Sequence, residues 1–152
     1  MATITIDIPA KLTIEDDTVI QIDIGGSLVW LGETYIPQPG AIDAIILSGA
    51  SLTSAIDLST SDQRCGRLMA IHMPAAWTTA SLTFQGSPDG ITYQNIYNAS
   101  GAEYSVAAAA SRDIILPPGD FAGFRYLKIR SGTSGTPVTQ AADRTLTVLT
   151  AR

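Results

Sequence analysis

The chain has 152 residues, is 45% apolar and only 15% charged, and carries a formal net charge of −5. A chain of this length buries roughly 68–70% of its unfolded surface, enough for one domain with its own core, and so low a charge argues against disorder throughout. The single cysteine, Cys65, excludes an internal disulfide framework, and no run of about 18 apolar residues is present to cross a bilayer as a helix.

Charge is unevenly spread. Residues 1–62 hold nine acids against Lys11 alone, whereas residues 63–152 hold five acids and eight bases. Such a split suggests that the two parts meet different partners, although acids also serve to blunt exposed strand edges. Nucleic acid is a poor candidate partner, because the basic cluster Arg125, Lys128 and Arg130 is short and lies on a strand-like segment. The opening MATITIDIPAK lacks the basic start and continuous apolar stretch of a signal peptide. Synthesis in the cytoplasm is expected, with any exit by another route such as release inside a particle.

Taken in chain order, the pattern is of strands. Residues 3–8 (TITIDI) place Ile4, Ile6 and Ile8 on one face, and Pro9 ends the run. Glu15-Asp16-Asp17 makes a polar turn before residues 18–24, where Ile20, Ile22 and Ile24 again share a face. Gly25-Gly26 and then SLVWL with Trp30 follow. Residues 35–40 (YIPQPG) read as a loop joining an N-terminal module to the rest. Residues 41–47 are too short for periodicity to decide between strand and helix. A Ser/Thr-rich connection then carries Ile56 and Leu58 inward. Residues 67–73 (RLMAIHM) form the next strand, closed by Pro74.

Residues 81–97 (SLTFQGSPDGITYQNIY) give the clearest hairpin signal. Leu82 and Phe84 alternate with polar residues, and Pro88-Asp89-Gly90 supplies the dihedral preferences of a turn. Ile91 to Tyr97 returns as a second strand. Further strands are expected at 103–110, 112–116, 124–130 and 145–150. Between the last two lies a thirteen-residue loop, 131–143, and loops of that length are commonly functional or mobile. Short strands at regular spacing predict an all-β fold, a β-sandwich or jelly roll over 48–152, with a β-rich acidic extension over 1–47.

The hairpin at 81–97, FRYLKIRSGT at 124–133 and the terminal TLTVLT together resemble the discoidin (F5/8 type C) group of galactose-binding-like jelly rolls. In that group a strand ending in S.DG..Y/W faces a later RY+RI strand. More specifically, RLMAIHMPAAWTTASLTFQGSPDGITYQNIY with FRYLKIRSGTSGTPVTQAADRTLTVL is similar to small structural proteins of tailed bacteriophages and gene transfer agents. The resemblance covers about residues 50–152 and leaves 1–47 without a match. It implies a non-enzymatic virion component: a capsid decoration protein or the base of a head fibre or spike, on the particle surface. The implied partners are the major capsid protein or other virion proteins and sister chains, a trimer being common for fibre bases. The alternative is a carbohydrate-binding module or tail adhesin that recognises a host surface glycan.

The residues themselves offer little reactive chemistry. His72 is the only histidine, and with Cys65 it makes too small a soft-ligand set for zinc. The adjacent acids 15–17 lack the alternating spacing of a calcium loop, and no Gly-rich phosphate motif is present. No cofactor or catalytic residue is expected. A sugar platform, if the chain has one, is expected at Tyr93 and Tyr97 together with Thr136 in the 131–143 loop, whereas filling a core or an interface is the ordinary role of such rings. Ile4, Ile6, Ile8, Ile20, Ile22 and Ile24 are the expected docking strands, through addition to a neighbour's sheet edge.

Overall fold

The computed structural model describes residues 39–58, 67–117 and 119–151. Among these residues all regular structure is strand: β1 Pro39–Ile46, β2 Ile56–Asp57, β3 Arg67–His72, β4 Leu82–Ser87, β5 Gln94–Asn95, β6 Ser105–Val106, β7 Asp113–Ile115, β8 Tyr126–Ser131 and β9 Arg144–Ala151. Two antiparallel sheets face each other. The first has the order β1-β9-β3-β7 and the second β2-β8-β4-β5, with β6 also paired to β4. The protein is a β-sandwich, as the strand spacing implies.

The alternation of apolar residues explains which faces meet. From the first sheet, Ala44, Ile46, Leu68, Ile71, Leu146 and Val148 point inward; from the second, Ile56, Leu82, Phe84, Leu127 and Ile129 do so, and all are buried. Phe84, Tyr104 and Phe121 form an aromatic cluster in this core, with ring centroids 4.8 to 5.7 Å apart and tilted or edge-to-face geometry.

Strand β1 corrects the expected boundary at residue 47. It pairs with β9 over eight residues, from Pro39 with Ala151 to Ile46 with Arg144, so the sandwich has begun by Pro39. Pro39-Gly40 opens the strand and is not part of a loop. Proline is tolerated there because it is the first residue of a strand at the sheet's edge among the described residues. The expected docking positions Ile4, Ile6, Ile8, Ile20, Ile22 and Ile24, with Trp30, the acids at 15–17 and Cys65, lie outside the described residues.

Strand β3 departs from strict alternation. Its register against β9 shifts between Leu68 and Ala70, so Leu68 and Ile71 both reach the core although they are three residues apart. Without that bulge one of them would face solvent.

The 81–97 hairpin forms, but its second arm is shorter than the sequence suggests. Only Gln94–Asn95 pair with β4, opposite Gly86 and Gln85. The preceding residues are taken up by the turn, in which Asp89 Oδ1 accepts from the backbone N–H groups of Ile91 and Thr92 at 2.9 and 3.0 Å. These two N–H groups hold the Asp89 carboxyl below its ordinary range. Gly90 has φ +75°, the left-handed conformation that the turn requires. Strand β6 then pairs with the other half of the same β4 edge, at Leu82 and Thr83.

Candidate functional site

The second sheet's outer face is built from the residues that alternate with the core set. Pairing places Thr83 beside Arg130, Gln85 beside Lys128, and Ser87 beside Tyr126. On the other edge of β4, Asn95 stands beside Gln85. At its centre is an ion pair that is nearly closed to solvent: Arg130 Nη1 lies 3.1 Å from Glu103 Oε1, with side chains 10% and 15% exposed. Arg130 Nη2 donates to Asn95 Oδ1 at 2.9 Å, and Gln85 Nε2 donates to the same oxygen at 3.1 Å. Both Glu103 oxygens also accept from the Ser134 N–H at 3.0 Å. One carboxylate therefore ties the β6 side of the sheet to the 131–143 loop.

That loop has more internal structure than its sequence signals. Gln140, 1% exposed, is its anchor. Its Nε2 donates to Ser131 Oγ at 2.7 Å and to the Thr78 carbonyl at 3.2 Å, while its Oε1 accepts from the Thr78 N–H at 2.9 Å. The base is closed by a bridge between Gly132 and Pro137, and the tip by Thr136 N–H donating to Thr133 Oγ1 at 3.0 Å. Gly132 has φ +87°, and a side chain there would collide with the Thr136 carbonyl oxygen. Glutamine in a polar loop gives no local sign that it will be buried, so only the fold reveals its role.

The expected sugar-platform residues fall in different surroundings. Tyr93 is half-buried, with the Lys128 ammonium 4.1 Å from its ring centroid. Its hydroxyl is buried without a hydrogen-bond partner. Burial, and then the neighbouring Tyr126, Asp89 and Asp57, push its phenol above the ordinary value. Lys128 already occupies one face of this ring as a cation–π partner. Tyr97, by contrast, is 54% exposed. It bridges to Glu103, and Glu103 in turn holds Ser134, which is how Tyr97 and the Thr136 loop are linked.

Tyr97 also lines an open cavity of about 250 Å³ with Ile96, Asn98, Ala99, Tyr104 and Asp120. Here the Tyr104 hydroxyl donates to Asp120 Oδ2 at 2.7 Å. Burial first, and then that hydrogen bond and the carboxylate's charge, push the Tyr104 phenol up to about 12. Asn98 Oδ1 is taken up by its own turn, accepting from the N–H groups of Ser100 and Ala102 at 3.1 and 3.0 Å. Its remaining polar group is the Nδ2 amide donor. Asp120 and Tyr104 were not singled out as a pair by the sequence, since residues 16 apart in a loop and a weak strand carry no shared pattern.

On the first sheet's outer face, one row runs across all four strands as Asp43, Thr147, His72 and Asp113. Thr147 Oγ1 donates to Asp43 at 3.0 Å, and His72 Nδ1 lies 2.7 Å from Asp113 Oδ1. Among the described residues no three His, Cys, Asp or Glu side chains converge as a metal site would need. The adjacent row is apolar, formed by Ala41, Leu149, Ala70 and the largely exposed Ile115.

Comparison with known proteins finds no matching family model, no matching curated protein and no matching solved structure.

Proposed function

We propose that this chain is a structural protein of a tailed-phage-like particle, a capsid decoration protein or the base of a head fibre or spike. It acts by binding capsid subunits and sister chains. The observation that carries this reading is the placement of β1. The strand continues directly from the acidic N-terminal residues and forms a sheet edge among the described residues. Along it and just beyond it, Ile45 and Leu47 are 42% and 61% exposed. Exposed apolar side chains on a strand edge are a liability in a free protein and an asset in an assembly. Addition of a neighbour's strand to such an edge gains backbone hydrogen bonds. In the test, particles are purified and the protein is quantified against the capsid subunit. A fixed stoichiometry on heads, and weakened particles with normal adsorption after deletion, is the expected result. Absence of the protein from purified particles refutes the proposal.

The second reading, a glycan-binding module, is favoured by a different observation: the exposed Tyr97 beside the polar cavity of Asn98, Tyr104 and Asp120. Here the mechanism is also recognition without chemistry, and binding to a glycan array tests it.

A further inference from the structure

We infer that the chain assembles with copies of itself head to tail, β7 of one copy continuing the sheet at the β1 edge of the next. This rests on the reading of β1 as an assembly surface and names the strand that covers it. Among the described residues five large apolar side chains are exposed, and three of them, Ile45, Leu47 and Ile115, stand at the two ends of one strand order, β1-β9-β3-β7. Ile115 on β7 is 85% exposed. Single apolar residues scattered over a surface need no explanation, but here they gather at both edges of the same sheet, where another chain can cover them. The second sheet ends otherwise: β2, β5 and β6 have two residues each, and edges that short offer little to a neighbour.

Strand direction selects the partner. β1 is antiparallel to β9, β9 to β3, and β3 to β7, so β7 runs opposite to β1. A copy rotated about an axis parallel to the strands keeps these directions. Its β1 therefore meets β7 of its neighbour antiparallel, with the same sheet face outward in both. Head-to-tail contacts of this kind close into a ring when the rotation closes. A two-fold contact of β1 with β1 would leave Ile115 uncovered.

Register then follows from side chains, because residues directly opposite each other must share a face. Ile45 and Ile115 do: each lies two residues from the row Asp43, Thr147, His72 and Asp113 on the outer face. Continuing that row straight into the next copy would set Asp113 opposite its Asp43, and like charges directly opposed destabilise a strand pair. Sliding β7 along β1 until Ile115 faces Ile45 of the next copy, instead of its Ala41, moves Asp113 away from Asp43 to a place opposite Leu47. That register covers the exposed isoleucines with each other and keeps the two carboxylates apart.

The experiment is sedimentation velocity with light-scattering mass on the full chain, on Ile45→Lys, on Ile115→Glu and on the double variant, each checked by circular dichroism for the parent's strand content. The parent is expected at a whole-number multiple of the single-chain mass. Each single variant is expected to fall to the single-chain mass, since it sets a charge against isoleucine. The double variant is expected to regain the parent's mass, because its new lysine and new glutamate face each other across the head-to-tail contact. Dissociation of both singles without recovery in the double, or dissociation of Ile45→Lys alone, overturns the head-to-tail pairing in favour of like edges meeting. A parent that stays at the single-chain mass overturns self-assembly and leaves the edge to another occupant; if that parent is nevertheless found on purified particles at fixed stoichiometry, the virion reading stands without it. A parent that assembles as expected but is absent from particles overturns the virion reading and leaves the pairing standing.

Discussion

Replacing Glu103 with leucine removes the counter-charge of Arg130 and leaves a guanidinium in a site only 10% exposed. Losing one partner of a buried pair costs about 3–5 kcal/mol, because the remaining charge is neither solvated nor compensated. The low end applies here, since Arg130 Nη2 keeps its bond to Asn95 Oδ1 at 2.9 Å. Ser134 N–H also loses its acceptor, but Ser134 is exposed and regains water. With the melting temperature falling about 3–4 °C per kcal/mol for a chain of this size, the expected loss is about 10 °C. Circular dichroism through thermal and urea unfolding measures it. Arg130→Met is expected to cost a similar amount, as it strands the carboxylate instead. The double variant holds no unpaired charge, so it should be more stable than the sum of the two singles by about 2 kcal/mol. A fall of less than about 3 °C for Glu103→Leu, or simple additivity in the cycle, refutes the view that this pair is closed to solvent and coupled.

Three further outcomes follow from other parts of the fold. Gly132→Ala is expected to destabilise the protein by about 2 kcal/mol or more, through the positive φ and the collision with Thr136, whereas Gly135→Ala, with nothing within 4 Å, is neutral; melting curves of the pair decide. Deleting residues 1–38 is expected to leave cooperative unfolding intact, and deleting 1–47 to abolish it, because the longer deletion removes β1 with Ala44 and Ile46 and uncovers its partner strand β9. A folded 48–152 fragment would show that β1 is dispensable. Tyr104, whose neutral form is favoured in the fold, stabilises fully below its ordinary value of 10, and this contribution is lost as pH rises from there to about 12. Ultraviolet titration of tyrosinate should show Tyr104 ionising late, and Asp120→Asn should bring it earlier; no movement would detach Tyr104 from Asp120.

Much of the core was readable because it obeys a period of two. Leu82 and Phe84, Leu127 and Ile129, and Leu146 and Val148 alternate with polar residues and are all buried. The exceptions have local physical causes that a linear pattern does not carry. Pro39-Gly40 looks like a loop until its position at the start of an edge strand is known. Thr83 is buried on the outward side because its hydroxyl reaches the Gly132 carbonyl at 2.8 Å, a contact across 49 residues. Phe124 would be placed with Tyr126 by alternation, yet its ring lies over Gly86, which has no side chain to hold it off. The candidate site was less legible than the fold. Tyr97 was visible as an aromatic residue in a hairpin, but the cavity beside it depends on a turn at 119–123 that meets the 96–104 segment only in three dimensions.

The pinned loop at 131–143 also has a practical consequence. Its base is closed by the Gly132–Pro137 bridge and its return is anchored by Gln140, while a side chain added at Gly135 near the tip would meet no atom within 4 Å. Extending a loop whose ends are already held together adds only about 0.6 kcal/mol for each doubling of its length. A foreign peptide inserted at Gly135 would therefore be carried outward on a fixed stem without disturbing β8 or β9. Should the proposed place on a particle hold, one insertion site per chain would become a repeating array of the inserted epitope.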